Sequence, residues 1–88
     1  MNSATLSSFW DTYRTLDGAI RQKARKAYRL WAENPFYPSL QFKYINHEEN
    51  IWSVRITKNY RALGILDGDT VTWFWIGKHD DYTQFFSS

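Results

Sequence analysis

Hydrophobic residues in the first third of the chain recur at helical spacing and predict two amphipathic helices. The first apolar set has spacings of three and four, at Leu6, Phe9, Trp10, Tyr13 and Leu16. A second helix over about 18–33 carries one apolar stripe, at Ile20, Ala24, Ala27, Tyr28 and Trp31. We expect Thr5 or Ser3 to cap the first helix and Asp17 the second, because their side-chain oxygens accept from free helical amides. The short break at Asp17-Gly18 predicts an antiparallel αα-hairpin.

The pattern changes at Pro35 and Pro38, which predict an extended linker. Beyond the linker, apolar and polar residues alternate as in strands. The predicted strands cover 40–45, 51–57, 60–66 and 70–76, and Asp67-Gly68-Asp69 predicts a hairpin between the last two. The strand over 70–76 is apolar on both sides, so we place it centrally, with Trp73 and Trp75 on one face and Phe74 on the other.

This order of elements predicts an α+β fold. The N-terminal αα-hairpin packs on one face of a three- to four-stranded antiparallel sheet. Residues 78–86 are predicted to form a short last helix or an irregular tail. With 88 residues the chain is expected to form a single domain, 1–88.

Composition narrows the class of protein. Aromatic residues make up 19% of the chain, which favours a dense core, since each aromatic side chain can bury about 150–250 Å². The sequence has no Cys, which excludes disulfides and thiolate chemistry. Neither a signal peptide nor an apolar run long enough to span a membrane is visible, so we expect a cytoplasmic protein.

Charge is unevenly distributed along the chain. Residues 1–35 contain six Lys or Arg and three acidic residues, whereas 67–88 contain one basic and four acidic residues. Such an uneven charge distribution can place a basic surface against phosphates. The alternative is a solvated helix face combined with acidic turns.

Three segments together resemble a known family. In chain order they are LWAENPFYPSLQFK, WSVRITKNYRALG and WFWIGKHDDY. They resemble RelE/ParE-superfamily toxins, the toxic halves of bacterial toxin–antitoxin pairs, over about residues 9–86. The matching elements are a basic strand residue, Arg55, a Tyr60-Arg61 pair opening the next strand, and Gly77-Lys78-His79 after the last strand. Many relatives begin with a strand, which we expect to be short or missing here.

The resemblance implies three alternative functions. RelE-like members imply a metal-independent, ribosome-dependent mRNA endonuclease that inhibits translation. Its 2′-hydroxyl attack on the adjacent phosphate needs a base, cations for the transition state, and an acid for the leaving oxygen. ParE-like members imply a DNA gyrase inhibitor that acts by binding, and a degenerate toxin would keep only antitoxin binding. The pair His79 and Tyr82 favours the nuclease, because ParE-like proteins usually lack it.

Arg61 and Arg55 are the predicted phosphate-binding residues. The resemblance implies that Arg61 binds the scissile phosphate, for which a guanidinium offers a bidentate fork. A two-residue loop at Lys58-Asn59 would put Ile56 opposite Arg61, whereas a three-residue loop would put Arg55 there, and the sequence leaves both open. The alternative is a structural Arg61 that pairs with an acid or covers the sheet.

His79 and Tyr82 complete the predicted catalytic set. An unperturbed imidazole titrates near neutrality, which suits His79 for acid–base chemistry. The resemblance implies that Tyr82 stacks on a base or assists the chemistry. The structural alternatives are a polar turn at His79 and packing of Tyr82 on the core together with Phe85 and Phe86.

The predicted RNA-binding residues lie elsewhere. Lys58 lies at the turn, and the second helix carries a basic stripe, Arg21, Arg25, Lys26 and Arg29. Solvated side chains are the alternative. His47 and Glu49 are weaker candidates that match no specific family position. No spacing fits a zinc motif, so we expect no metal and no cofactor. The implied partners are a cognate antitoxin, and the ribosome with mRNA or else DNA gyrase.

Overall fold

The computed structural model describes residues 1–85 and has an α+β architecture, as predicted. Two helices lie on one face of a five-stranded sheet. The elements are β1 (Asn2–Thr5), α1 (Ser7–Tyr13), α2 (Gly18–Glu33), β2 (Lys43–Asn46), β3 (Ile51–Arg55), β4 (Tyr60–Asp67) and β5 (Thr70–Lys78), with 3-10 segments at Pro38–Leu40 and His79–Phe85. The C-terminal 3-10 segment, His79–Phe85, confirms a short last helix, and Phe86 lies outside the described residues. None of the helices in residues 1–85 is both long and apolar enough to cross a membrane.

The strands lie in the order β1-β5-β4-β3-β2. The four predicted antiparallel strands are present as β2 to β5, but the predicted strand count is too low, because the sheet has five strands and is mixed. The fifth strand is β1, which pairs parallel to β5 from Asn2↔Thr70 to Thr5↔Trp73. It is present although its sequence carries little strand character. It contributes no apolar face, so it is held by backbone pairing at the edge of β5 and by hydrogen bonds of the Ser3 and Thr5 hydroxyls to Tyr28 and Trp10.

The helical hairpin also differs from the prediction. α1 has 7 residues, ends at Tyr13 and packs mainly against β5. Its N-terminus has no side-chain cap, because Thr5 lies in β1 and its hydroxyl accepts from Trp10 Nε1 at 3.1 Å instead. The cap of α2 is confirmed, since Ile20 N–H donates to Asp17 Oδ1 at 3.0 Å.

Hydrophobic side chains form two clusters on opposite faces of the sheet. The main core lies between helices and sheet and is centred on Trp31, whose ring meets Phe42 and Trp73 edge to face. A smaller second cluster lies on the other face, where Tyr82 from the C-terminal 3-10 segment covers Ile51 and Leu63. Both faces of the central strands are therefore buried.

A β-bulge at Phe74 places Trp73 and Trp75 on opposite faces, contrary to the prediction. Leu63 pairs with Trp75 and Gly64 pairs with Trp73, so Phe74 is an extra residue in β5. Trp73 consequently packs in the main core and Trp75 in the second cluster. The bulge therefore places the Trp75 indole on the face of the sheet that also carries the candidate site.

Candidate functional site

The turn between β3 and β4 places Arg55 directly opposite Arg61. Residues 56–59 form this turn, and the amides of Ile56 and Thr57 both donate to the carbonyl of Tyr60, at 3.0 and 3.3 Å. Directly opposed residues of antiparallel strands project from the same face. Of the two alternatives left open by the sequence, the structure has the one in which both guanidinium groups share a face.

Hydrogen bonds to the turn hold the Arg61 side chain in place. Its Nη1 donates to the carbonyls of Thr57 at 2.7 Å, Tyr60 at 3.0 Å and Lys58 at 3.3 Å. Within residues 1–85, these bonds of the guanidinium all leave from Nη1. Nη2 and Nε are therefore the nitrogens that can donate to an oxygen from outside the chain. Arg61 is thus a structural residue of the turn and still carries donors for a ligand.

Burial lowers the pKa of Arg61, which is the largest effect on it. The neighbouring Tyr82 raises that pKa and Arg55 lowers it, so both side chains lie close to the guanidinium. An arginine stays charged at neutral pH even so. Neither arginine forms an ion pair with a carboxylate within the described part of the chain. Two adjacent cations without a counter-charge attract an anion.

The C-terminal 3-10 segment carries His79 and Tyr82 to the same corner. It begins where β5 ends, and His79 N–H donates to the carbonyl of Asn59 in the β3–β4 turn at 2.7 Å. The rings of His79 and Tyr82 lie 4.5 Å apart. His79 Nδ1 lies 3.8 Å from Asp80 Oδ1, which is too long for a hydrogen bond to orient the imidazole.

Tyr82 and His79 differ in exposure. Tyr82 is 3% exposed and belongs to the second cluster, so the packing predicted as its structural alternative is present. The side chain of His79 is 45% exposed and can exchange protons with solvent or a ligand. The structure therefore joins a buried phenol, an accessible imidazole and two guanidinium groups at one end of β3, β4 and β5.

Trp75 is a member of this corner that the sequence reasoning missed. Gly77 lies opposite Arg61, and the Trp75 indole lies over Gly77 so closely that a Cβ there would stand 2.6 Å from Trp75 Cζ2. A glycine inside a strand often marks such a close approach. Gly77 could therefore have indicated a close approach from the sequence alone. The bulge that turns Trp75 to this face could not be predicted from the sequence.

The basic stripe of α2 splits into different roles. Arg21 Nη1 donates to the carbonyl of Leu16 at 2.8 Å, and Arg25 Nη1 donates to the hydroxyl of Tyr13 at 2.9 Å. Both arginines thus tie α2 to the segment before it. Lys26 and Arg29 are exposed, as is Lys58 at the tip of the β3–β4 turn.

His47 and Glu49 do not join the site. They lie in the turn before Ile51, whereas Arg55 ends β3, about 13 Å away along a strand that rises 3.3 Å per residue. His47 stacks on Tyr44, with ring centroids 4.4 Å apart. Across residues 1–85 no three His, Asp or Glu side chains cluster closely enough to hold a metal ion.

The chain is similar to known proteins both in sequence and in fold. The family described as ParE-like toxin domain matches residues 18–84. No curated protein sequence matches. The RelB–RelE antitoxin–toxin complex from Methanococcus jannaschii contains a similar structure, with TM-score 0.74 and 18% identity over 96% of this chain and 99% of that chain.

Two further solved structures are similar. The YoeB/ParE toxin from Agrobacterium tumefaciens has TM-score 0.69 and 21% identity, covering 90% of this chain and 99% of its own. YafQ from E. coli has TM-score 0.72 and 8% identity, covering 93% and 97%. At these identities the likeness extends to the fold, and the chemistry must be argued from the residues.

Proposed function

The chain belongs to the ParE-like toxin domain family, and from this premise we propose that it is a toxin that cuts mRNA on the cytoplasmic ribosome without a metal. The observation that carries the proposal is the corner of Arg55, Arg61, His79 and Tyr82. It combines two cations that have no carboxylate partner in residues 1–85 with two proton-transfer groups. This is the set that cleavage by a neighbouring 2′-hydroxyl requires.

Each residue has a proposed role. Arg61 binds the scissile phosphate through the nitrogens that do not bind the turn, and Arg55 adds a second positive charge as the phosphorane-like transition state gains negative charge. Tyr82 acts close to the phosphate, because its hydroxyl is near enough to Arg61 to influence the arginine's pKa. His79, which is more exposed, accepts the proton of the attacking 2′-hydroxyl, and Tyr82 donates its phenolic proton to the leaving 5′-oxygen.

A cell-free translation reaction tests this function. Purified protein is added, and mRNA 5′ ends are mapped by primer extension. We expect new ends inside translated regions, and none with Arg61→Ala. Arg14→Ala is the matched control, because Arg14 lies directly after α1 in an exposed ion pair with Asp11.

Arg61→Lys separates charge from geometry in the same assay. Lysine keeps the positive charge but loses the planar fork, so we expect cleavage to fall well below wild type. Because Arg61 also holds the turn, thermal unfolding of each variant is recorded beside the cleavage. Intact mRNA with normal protein synthesis in the presence of the wild-type chain would refute the nuclease.

The family match favours a second candidate, a ParE-like inhibitor that binds DNA gyrase. In that case the arginines are contact residues and no RNA bond is cut. A supercoiling assay with purified gyrase discriminates the two, since inhibition of gyrase with intact mRNA supports binding. Normal supercoiling and normal translation together would support the third alternative, a degenerate toxin.

We further propose that the partner of this chain is an antitoxin, which fits a cleft formed by β1, α1 and α2. The aromatic cleft, lined chiefly by Phe9, Trp10, Tyr13, Tyr28 and Trp73, has a volume of about 580 Å³. Arg25 and Arg29 also line it, and Trp10 and Tyr28 are 43% and 48% exposed. An amphipathic segment with apolar anchors and acidic residues complements this surface.

Co-expression with the protein encoded by the adjacent gene tests the partner. We expect it to relieve growth arrest by the wild-type chain and to fail with Tyr28→Glu, which puts a like charge into an acidic partner's site. Lys43→Glu on β2 is the control and should be relieved normally. Equal relief of both variants would place the antitoxin elsewhere.

A further inference from the structure

Apart from the aromatic cleft, the surface has a basic depression that lies beside the candidate site, around the edge of β3. It has a volume of about 390 Å³ and is formed by α2, the 3-10 segment Pro38–Leu40 and the end of β3. Its polar lining comprises Lys23, Lys26, Ser39, Arg55 and Thr57. We name this depression the lysine groove. Among the described residues that line it there is no Asp or Glu.

The geometry of α2 explains why the groove is basic. Ala24, Ala27 and Trp31 are buried against the sheet, so the flanks of the helix on either side of this stripe face different neighbours. One flank carries Arg25 and Arg29 to the aromatic cleft. The other flank carries Lys23 and Lys26, spaced i and i+3, to the end of β3. The two flanks therefore present different chemistry.

Arg55 connects the groove to the candidate site. It lines the groove, and it lies directly opposite Arg61 in the sheet and lowers the pKa of that residue. Thr57 also lines the groove, and its carbonyl accepts a hydrogen bond from Arg61 Nη1 at 2.7 Å. Positive charge thus continues from Arg61 through Arg55 to Lys26 and Lys23, around the edge of β3 beyond the point where its pairing with β2 ends at Ser53.

We propose that the lysine groove holds the phosphodiester backbone of single-stranded RNA on one side of the bond that is cut. This inference rests on the proposed function of the corner at Arg61. Lysines, with the hydroxyls of Ser39 and Thr57, suit phosphate oxygens. The aromatic cleft offers rings and apolar surface instead, which suits a protein segment. The groove therefore selects a polyanion, and Lys23 and Lys26 determine how far along the strand the protein makes contact.

Binding of a non-cleavable oligonucleotide tests the groove. The probe is a fluorescein-labelled, fully 2′-O-methylated strand, which lacks the attacking hydroxyl, in a long form and as a dinucleotide. Affinity for the full-length chain is measured by fluorescence anisotropy over a range of salt concentrations. Lys23→Gln/Lys26→Gln removes the two charges, and Lys43→Gln, an exposed lysine on β2, is the control.

For the long strand, we expect the log–log salt slope of the double variant to be shallower by about 1.4, at about 0.7 for each phosphate that the protein no longer neutralises. The slope of Lys43→Gln should equal wild type, and dinucleotide affinity should be unchanged in both variants. Arg61→Ala should weaken both strands. An unchanged slope in the double variant, with its thermal unfolding intact, would overturn the groove.

Further outcomes distinguish RNA binding in the groove from protein binding there and from cleavage at the corner. A double variant that loses affinity for polyglutamate but keeps the wild-type slope for RNA would overturn the proposal and assign the groove to an acidic protein. If the wild-type chain cuts no mRNA but the double variant still shows the shallower slope, RNA binding in the groove is supported and the nuclease proposal is refuted. If the chain cuts mRNA and the slope is unchanged, the groove alone fails.

Discussion

Tyr82 combines two roles that are usually separate, since it closes the second cluster and lies beside the charged Arg61. Arg61 combines roles in the same way, because the nitrogen that binds the turn fixes the position of those left for a ligand. In both cases packing or backbone hydrogen bonds hold the functional group, which reduces the reorganisation needed when charge develops. Conservative substitutions that keep the structural role are therefore the informative ones.

Tyr82→Phe removes the hydroxyl and leaves the buried ring. If this hydroxyl transfers a proton, mRNA cleavage should fall by roughly 10²–10⁴-fold while RNA binding stays near wild type. Cleavage rates in the translation reaction and thermal unfolding of the variant check this. A variant that cuts at the wild-type rate would reduce Tyr82 to a packing residue.

Gly77→Ala tests the closeness of Trp75 to the strand below it. The added methyl would stand 2.6 Å from the indole, so the ring must move and the free energy of unfolding should fall by about 1–3 kcal/mol. Gly18→Ala, whose Cβ would meet nothing closer than 3.9 Å, is the control and should be neutral or slightly stabilising. Urea unfolding of both variants measures the difference, and equal midpoints would contradict it.

The residues that meet at the corner could be predicted from the sequence better than the faces on which their side chains lie. The Tyr60-Arg61 pair and the Gly77-Lys78-His79 segment pointed to the corner that the structure shows. The shared face of Arg55 and Arg61 could not be predicted, because it depends on a turn in which two amides donate to one carbonyl. Trp75 was missed for a similar reason, since one bulged residue reverses the alternation.

At the scale of elements, α1 serves as a continuation of the sheet edge. β1 covers β5 as far as Trp73, and beyond it Leu6 N–H donates to the Trp73 carbonyl at 2.9 Å. Ser8 Oγ then donates to the Phe74 carbonyl at 2.9 Å, and Ile76 N–H donates to Thr12 Oγ1 at 3.1 Å. Side chains of a helix thus satisfy the backbone of an edge that would otherwise be open.

Thr12→Val tests this edge. Valine keeps the shape of the side chain but leaves the amide of Ile76, a residue only 2% exposed, without its acceptor. We expect a loss of about 1–3 kcal/mol in the free energy of unfolding. Thr12→Ser keeps the hydroxyl and should lose less, as measured by chemical denaturation. A loss in Thr12→Ser with none in Thr12→Val would show that the methyl group, not the hydrogen bond, matters.

The elements differ in how far the sequence could predict them. α2 was predicted within its bounds because its buried stripe and its Asp17 cap agree. β1 was expected only as a short or missing strand, because its three polar residues and Ala4 gain strand structure only from a neighbour far away in the chain. The first predicted strand began too early, since Pro38–Leu40 forms a 3-10 turn and Gln41 has a φ of 45°. The local hydrophobic pattern predicted the elements that have an apolar face of their own. It predicted less well the elements that depend on pairing with a distant strand.

At the scale of the whole molecule, two hydrophobic clusters share the same central strands. Leu63 of β4 is fully buried in the second cluster, and its neighbour Ala62 is buried in the main core. Loss of either cluster therefore exposes the strands that support the other. Such sharing favours a single cooperative unfolding transition.

Fluorescence can report the two clusters separately. Trp75 lies in the second cluster, whereas Trp31 and Trp73 lie in the main core. Subtracting the emission of Trp75→Phe from that of the wild type leaves the emission of Trp75. During urea unfolding this difference reports on the second cluster. We expect its midpoint to coincide with the far-ultraviolet circular dichroism midpoint of the wild type. An earlier midpoint would mean that the C-terminal 3-10 segment detaches before the rest unfolds.

The parallel pairing of β1 with β5 also has a consequence during protein synthesis. Asn2 cannot pair with Thr70 until β5 has been synthesised, and α1 packs on the same strand. While the middle of the chain is being made, β1 and α1 therefore have no surface to pack against. Such long-range closure is slow compared with local folding. His79 and Tyr82 are added later still. A nascent chain therefore lacks both its sheet edge and its candidate corner until β5 and the 3-10 segment after it have been made.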